Sequence, residues 1–298
     1  MNVGRRAALA CVLGGVLVLS STACGGDEST ERPSSASTVV AMPQATTTVP
    51  EPPPTSTCAP DERPEPPTPA PEPPSKPPDA PGVPASLRGA EWEVIPTSRK
   101  VVALTFDCGA NADGIPAIIA ALSAADAPAT FFLTGSWART FPEHARTLGD
   151  HTVGNHTNSH ADLTSLGPAA IRSEVRRAER AIRETTGDDP RPLFRFPFGA
   201  RDARTIGIVN ELGYGSIRWT VDTLGWKGLE GGQTVASVRT RVLAALRPGA
   251  IVLMHVGSAP DGSTLDADAL PSVVAAIRAR GYRFVELGAS RARQSARR

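Results

Sequence analysis

Polar side chains of the kinds that carry out acid–base and metal chemistry follow apolar runs in the second part of the chain. A spacing of four residues lets two imidazoles face one divalent cation where the intervening chain makes a helical turn. A carboxylate nearby is suited to act as a general base, and a further histidine as a general acid. A bound metal would activate water and polarise a carbonyl, as amide hydrolysis requires. The residues in question are Asp107, His156, His160, Arg195, Asp222 and His255.

Each of these residues has an ordinary structural explanation when it is taken alone. An aspartate caps helices, a histidine fills a polar rim, and an arginine extends its charged head into water. Their joint occurrence at the ends of apolar runs is much less expected by chance. We therefore interpret them as one site.

The elements that must position these residues alternate along the chain, which predicts parallel βαβ units. Six or seven such units favour an α/β fold of the distorted (β/α) barrel type, in which chemistry gathers at the carboxyl ends of the strands. Strands are predicted at 101–106, 129–133, 153–155, 193–196, 216–221, 251–255 and 282–285, and helices at 115–125, 171–185, 203–212, 235–246 and 269–280.

Five short motifs give this region a resemblance to a known family. From residue 100 to residue 287 the chain resembles the polysaccharide deacetylase (NodB-homology) family, carbohydrate esterase family 4, whose fold is a distorted (β/α) barrel. The five motifs occur in the family's order. They are TFDCG at 105–109, HTNSH at 156–160, RFPFG at 195–199, DTLGW at 222–226 and LMH at 253–255.

The resemblance implies a role for each matching residue. Asp107 would be the catalytic base and Arg195 would hold it, while His255 would be the general acid. His156 and His160 would bind a divalent metal, with Zn²⁺ expected. Phe198 stands where the family has a tyrosine whose backbone N–H helps to bind the oxyanion. The remaining substrate-binding residues, which would line the acetyl pocket, are Trp226 and Leu253.

Two further positions depart from the family pattern, and they matter more than Phe198. Gly225 stands where the family has an aspartate that pairs with the arginine, and Asp222 is the candidate to replace it. Cys108 stands where the family has a metal-binding aspartate. Three interpretations stay open: a thiolate ligand to the metal, a bystander whose place water or Asp113 takes, and a disulfide with Cys58.

The amino terminus has the pattern of a bacterial lipoprotein signal. Arg5 and Arg6 precede an apolar run at 7–19 that is too short to span a membrane. The run ends at SSTAC, so residues 1–23 are predicted to be a signal peptide and Cys24 to carry lipid. The protein is therefore expected to be exported and anchored to the outer face of the cell membrane. Ordinary signal cleavage that leaves Cys24 unmodified is the alternative.

Composition separates a tether from a globular domain. Seventeen of the 29 prolines fall between Met42 and Pro84, and such a segment cannot bury enough apolar area to fold. We predict a disordered Pro/Thr/Ser-rich tether at 24–84 and a deacetylase domain at 85–298. The net charge of +1 gives no indication of a nucleic-acid partner, and a monomer is expected.

These features together predict hydrolysis of N-acetyl groups on a cell-envelope glycan, and the tether favours peptidoglycan as the substrate. Two rival functions stay open. A carbohydrate-binding pseudoenzyme would keep the groove but lack competent metal chemistry, because of Cys108 and Gly225. An envelope scaffold would use the tether alone, which leaves the motifs unexplained.

Overall fold

The computed structural model describes residues 82–288, which form one sheet of parallel strands curved into a half-barrel, with α-helices packed on it. The predicted signal peptide, Cys24 and Cys58 lie outside the described residues. The strands are β1 (Glu91–Trp92), β2 (Val101–Cys108), β3 (Ala129–Leu133), β4 (Thr152–Asn155), β5 (Leu193–Phe194), β6 (Gly215–Ile217), β7 (Val221–Asp222), β8 (Ala250–His255) and β9 (Arg283–Phe284).

The sheet places β2 near its middle. The strand order is β1-β6-β5-β4-β3-β2-β8-β7, and β9 also pairs with β2. Seven α-helices connect the strands within the described residues. They are α1 (Ile115–Ala124), α2 (Gly135–Thr140), α3 (Pro142–Thr147), α4 (Pro168–Thr186), α5 (Ala203–Glu211), α6 (Val235–Ala244) and α7 (Leu265–Arg278).

Side chains of β2 alternate between two environments because successive residues of a strand point to opposite faces. Val102, Leu104, Phe106 and Cys108 belong to the large apolar cluster that the helices cover. Ala103 belongs instead to the smaller cluster on the inner face. Asp107 shares the parity of Ala103 and therefore lies on the inner face.

Helix α4 shows why the sequence forms these elements. Pro168 occupies the first helical turn, where its missing N–H costs no hydrogen bond, and Gly187 ends the helix in the left-handed conformation. The buried residues recur at helical spacing and form one apolar stripe against the sheet. They are Ile171, Val175, Ala178, Ala181 and Ile182.

The segment after β1, which lies at one end of the sheet, reaches the start of β8, the strand next to the other end. The backbone N–H of Ile95 donates to the carbonyl of Gly249 at 2.8 Å, and Val94 forms an antiparallel bridge with Ala250.

No helix within residues 82–288 combines the length and apolarity that a bilayer crossing needs.

The structure differs from the predicted elements in several places: β1 was not predicted, and three further differences have a physical reason. The strand predicted at 216–221 is two strands, because the chain bends between them and gives the carbonyl of Arg218 to Arg195. Helices α2 and α3 were not predicted, since six residues each are too few to show a helical period. Helix α7 begins at Leu265, four residues before the predicted start.

Candidate active site

A pocket of about 770 Å³ opens at the carboxyl ends of the strands. This is the position that the strand-end residues predict. Most of the side chains singled out from the sequence line it. They are Asp107, His156, His160, Phe198, Asp222, Trp226, Leu253 and His255.

Asp107 ends the inner face of β2 and is nearly buried. Its Oδ1 accepts a hydrogen bond from Nη1 of Arg195 at 2.7 Å, and its Oδ2 lies 3.4 Å from Nε2 of His156. Burial alone would raise the pKa of Asp107, but the charge and hydrogen bond of Arg195, together with the charges of His156 and His255, outweigh it and hold that pKa below its ordinary value. The carboxylate is therefore ionised, with Oδ2 facing the imidazole and the pocket.

Arg195 is completely buried beneath the pocket. Besides Asp107, its guanidinium donates to Thr105 Oγ1 at 2.9 Å and to the carbonyls of Ile217 and Arg218 at 3.3 and 3.2 Å. The guanidinium also lies over the ring of Phe132, 4.1 Å from its centre. A buried charge with this many partners is tolerated, and its planar fork fixes the orientation of the base.

The side chain of Asp222 does not pair with Arg195, although the sequence led us to expect that pairing. Its Oδ1 accepts the backbone N–H of Leu224 at 2.8 Å, and its Oδ2 lies 3.4 Å from Nε1 of Trp226. Backbone carbonyls satisfy Arg195 in its place. Asp222 acts on the guanidinium only through its charge, which raises the pKa of Arg195 against the larger, opposite effect of burial.

His156 and His160 lie together on one wall of the pocket, with ring centres 4.9 Å apart. Nδ1 of His156 is 2.8 Å from the carbonyl of Arg195, which fixes the tautomer and leaves the lone pair on Nε2. Burial lowers the pKa of His156. Burial, followed by the charge of His156, lowers the pKa of His160 to about 4. Both imidazoles are neutral at pH 7, as metal binding requires.

An irregular loop, and not the helical turn that the spacing suggested, brings the two imidazoles together. Thr157 and His160 have φ of 66° and 61°, in the left-handed region. Glu174 of α4 holds the loop from outside, because its Oε2 accepts the backbone N–H groups of Asn158 and Ser159 at 3.0 and 2.9 Å. The loop is positioned by tertiary contacts, which a residue spacing does not encode.

Cys108 points away from the pocket. The thiol is free and fully buried, and the residue belongs to the apolar cluster beneath the helices. Burial raises the pKa of the thiol well above its ordinary value, and the charge of Asp107 raises it further. The thiolate-ligand interpretation is therefore wrong for this structure, whereas the disulfide interpretation involves Cys58, which lies outside the described residues, and stays a prediction. Cys108 ends β2 with its side chain on the face opposite Asp107, as the alternation along a strand predicts, and it does not line the pocket.

His255 ends β8 beside Asp107. The two residues are register partners on adjacent parallel strands, so their side chains lie on the same face. Burial alone would lower the pKa of His255, but the carboxylate of Asp266, together with the charges of Asp107 and Asp222, outweighs it, so the pKa is raised. Neutral imidazoles thus lie on one wall of the pocket and an imidazole with a raised pKa on another.

The residues expected to hold substrate form the rim and floor. Phe198 is 71% exposed and Trp226 is 46% exposed, whereas Leu253 is buried. The ring of Phe198 contacts that of His160 edge-on at 4.6 Å, and Trp226 lies 6.4 Å from the ring of His255. Two exposed aromatic rings beside a pocket that also holds carboxylates and imidazoles fit the binding of a ligand.

Comparison with known proteins decides the family. The family model for polysaccharide deacetylase matches residues 95–217. The peptidoglycan-N-acetylglucosamine deacetylase of Bacillus cereus is 31% identical over 195 residues, which is 64% of this chain and 68% of that protein. The chain belongs to the polysaccharide deacetylase family. The chitooligosaccharide deacetylase of Azorhizobium caulinodans is 29% identical over 63% of this chain and 93% of that protein.

Solved structures of the family share the fold. A peptidoglycan N-acetylglucosamine deacetylase with a bound small molecule superposes with a TM-score of 0.60 at 30% identity, covering 66% of this chain and 90% of that one. A family pseudoenzyme from Bacillus anthracis superposes with a TM-score of 0.61 at 28% identity, covering 67% and 68%. The family fold therefore includes both a named deacetylase and a pseudoenzyme.

The donor set of this deacetylase-family protein fits a metal held by two imidazoles. Nε2 of His156 is free for a cation, and His160 supplies the second ring. Within residues 82–288, no group of three or more histidine, cysteine or acidic side chains is arranged to hold a metal. Asp113 does not line the pocket, and its Oδ2 accepts a bond from Ser258 Oγ at 2.6 Å. Water or substrate would supply the remaining ligands.

Sequence reasoning missed three residues that position the site. Thr105 holds Arg195, Glu174 holds the histidine loop, and Asp266 contacts His255. Thr105 lies inside an apolar strand, and Glu174 lies in a helix rich in charges. Asp266 looks like an ordinary acidic residue in the first turn of a helix. Thr105 opens the TFDCG motif, although no role was assigned to it, and nothing in the local sequence of Glu174 or Asp266 separates them from structural residues.

Proposed function

We propose that this protein catalyses metal-dependent hydrolysis of N-acetyl groups on a cell-envelope polysaccharide, with peptidoglycan as its substrate. The observation that carries the proposal is the register pairing of Asp107 with His255. It places an ionised carboxylate and an imidazole of raised pKa on one face of one pocket. Amide hydrolysis needs both, since water must lose a proton and the amine must gain one.

The base is held ready by its neighbours. Arg195 binds Oδ1 of Asp107, so Oδ2 is left to accept the proton of a water molecule in the pocket. His255 then donates a proton to the nitrogen of the leaving amine. Each proton transfer of this kind contributes roughly 10²- to 10⁴-fold to the rate.

A divalent cation, Zn²⁺ in our proposal, would be held by His156 and His160. When bound it would activate water and polarise the acetyl carbonyl. Neutral imidazoles are ligands that Zn²⁺ accepts readily. Phe198 and Trp226 would bind sugar rings at the rim, and Leu253 would pack against the acetyl methyl group.

The proposed location follows from the segments before the domain. We propose that the protein is exported, that Cys24 carries lipid, and that the proline-rich tether lets the domain reach the cell wall from the outer face of the membrane. The SSTAC motif after an apolar run supports the anchor. Both a peptidoglycan deacetylase and a chitooligosaccharide deacetylase are relatives; the tether favours the wall polymer.

The burial of Cys108 supports one alternative, a carbohydrate-binding pseudoenzyme of the same fold. With Cys108 in the apolar cluster, the described residues offer two imidazoles and no third protein ligand of the kind the family uses. Retention of both Asp107 and His255 favours the enzyme, because a binding protein needs neither a base nor an acid.

The deciding experiment measures acetate release from soluble peptidoglycan fragments, with mass spectrometry of the products. The metal-free protein is assayed with added Zn²⁺, Mn²⁺ or Co²⁺, and with chelator. Release that depends on metal supports the proposed function, and N-acetylated chitooligosaccharides tested in parallel rank the two glycans. Binding of fragments without acetate release under any of the metals would show that the pseudoenzyme alternative is correct.

A further inference from the structure

Asp266 contacts His255 from a helix outside the family motifs. It lies in the first turn of α7 and is 3% exposed. Its Oδ2 accepts the backbone N–H of His255 at 2.8 Å and lies 3.5 Å from Nδ1 of the same residue. One carboxylate oxygen thus holds the backbone of the histidine and faces its ring.

The other oxygen of Asp266 faces Gly225. A Cβ atom built on Gly225 would lie 2.4 Å from Oδ1 and 2.6 Å from Cγ of Asp266. Both distances are far below any real contact, so no side chain at position 225 can coexist with Asp266 in its present place. Oδ1 has no hydrogen-bond partner among residues 82–288. The absence of a side chain at 225 is what makes room for the carboxylate.

The same geometry corrects the expectation for the fourth motif. An aspartate at position 225 was expected to pair with Arg195. A side chain built there instead points at the carboxylate beside His255, and its three nearest atoms all belong to Asp266. Position 225 and Asp266 therefore compete for one place, next to the proposed acid.

We propose that Asp266 is the positioning residue of His255, and that α7 supplies in this chain the carboxylate that would otherwise come from position 225. The inference deepens the proposed function and rests on it. Asp266 keeps the proton of the ring on Nδ1 and directs Nε2 into the pocket, where the amine leaves. The missing side chain at position 225 and the burial of an acidic residue on α7 then have one explanation.

Other charges around His255 come from several elements. Asp107 on β2 and Asp222 at the end of β7 act on it with the same sign as Asp266, and His156 and His160 lie across the pocket. Trp226 is the aromatic neighbour. Asp266 is the acidic residue among them that contacts His255 at both the backbone and the ring. Its removal should therefore change both the orientation and the charge state of the ring.

The test compares four variants with the full-length protein. Asp266→Asn keeps an acceptor for the backbone of His255 but removes the charge, and Asp266→Ala removes both. The double variant Asp266→Ala/Gly225→Asp brings a carboxylate back from the other side. Asp268→Asn is the control, because Asp268 lies in the same helical turn and is exposed. Thermal unfolding of each variant checks that the fold is kept.

We expect Asp266→Asn to lower kcat on the order of 10²-fold, with little change in KM. The alkaline limb of its pH–rate profile should move to lower pH, because the protonated ring of His255 loses the carboxylate of Asp266. The double variant should regain activity over Asp266→Ala, and Asp268→Asn should match the wild type. The proposal is overturned if Asp266→Asn keeps the kcat and alkaline limb of the control, or if a folded double variant is no more active than Asp266→Ala.

An NMR titration separates this inference from the proposed function. The C2 proton signal of His255 can be assigned by comparison with His255→Gln, since the chain has five histidines. The pKa of His255 should be lower in Asp266→Asn than in the wild type, whether or not either protein releases acetate. If the wild type is inactive but the pKa of His255 is lower in Asp266→Asn, the proposed enzymatic activity is refuted and the pairing of Asp266 with His255 is supported. An unchanged pKa would refute the pairing.

Discussion

Asp107 and His255 lie side by side, on the same face of the sheet, as register partners on β2 and β8. Adjacent strands of a sheet lie about 4.8 Å apart, so the backbone itself sets the separation of the two side chains. A base and an acid on neighbouring strands need no loop movement to come together. Their geometry depends on the hydrogen bonds of the sheet, which are among the most rigid contacts in the protein.

Replacing Asp107 with Asn should lower acetate release by about 10²-fold or more, because the amide cannot accept the proton of water. The two imidazoles stay in place, so metal content should be unchanged. Turnover and bound zinc are measured together, with the exposed Asp150→Asn as the control. Near-normal turnover in Asp107→Asn would contradict the assignment of the base.

Replacing Arg195 with Met should destabilise the protein and change its pH dependence. The buried carboxylate of Asp107 loses its partner, which costs about 3–5 kcal/mol in the free energy of unfolding. The pKa of Asp107 should rise without the guanidinium. Since the base must be ionised, the acid limb of the pH–rate profile should move to higher pH, and a folded variant with an unmoved limb would contradict this role.

The direction in which stability changes with pH follows from the lowered pKa of Asp107. A carboxylate whose folded pKa is depressed stabilises the protein above its unfolded pKa of about 3.9. That contribution is lost as the pH falls through the folded pKa. The wild type should therefore lose stability on acidification over this range more steeply than Arg195→Met. The exposed Arg239→Met, measured by the same denaturant titrations, should behave like the wild type.

Substitutions at Cys108 should affect stability and leave zinc affinity unchanged. Cys108→Val is similar in size and apolar, so it should cost less than about 1.5 kcal/mol. Cys108→Asp should be strongly destabilising, because it places an unpaired carboxyl group in the apolar cluster. Zinc affinity is measured by competition with a chelator. A folded Cys108→Val that binds zinc 10-fold more weakly would show that the thiol reaches the metal.

Replacing Cys24 with Ala should release the protein from the membrane fraction into the medium. Acylation of that cysteine supplies buried CH₂ groups, each worth about 0.8 kcal/mol of membrane binding. Cys58→Ala is the matched control and should remain with the membrane. Fractionation followed by immunoblotting measures both. A Cys24→Ala protein that stays in the membrane fraction would refute the lipid anchor.

Much of the architecture could be predicted because its strands are local and strongly apolar. The run at 101–106 and the strand Ala129–Leu133 lie in the structure where their composition indicates. Helix α4 has the amphipathic stripe that its sequence predicts. The split between β6 and β7 could not be predicted, because it depends on Arg195, which is distant in sequence.

The site was partly predictable for a similar reason. Residues at strand ends converge wherever parallel strands share an edge, so Asp107, His156 and His255 could be grouped from the sequence. The direction of Cys108 depends on the phase of β2, which is fixed only once the inner face is known. Asp266 belongs to the site because α7 packs beside Gly225, and no sequence motif predicts such a contact.

The central place of β2 has a consequence for local opening of the native protein. This strand pairs with β3, β8 and β9, so its amide hydrogens should exchange with solvent only when the whole domain unfolds. The loop that carries His160 belongs to no strand and should therefore exchange earlier, although the carboxylate of Glu174 holds two of its amides. Partial opening would then release a metal from the histidines while the base stays buried, so metal loss should precede global unfolding.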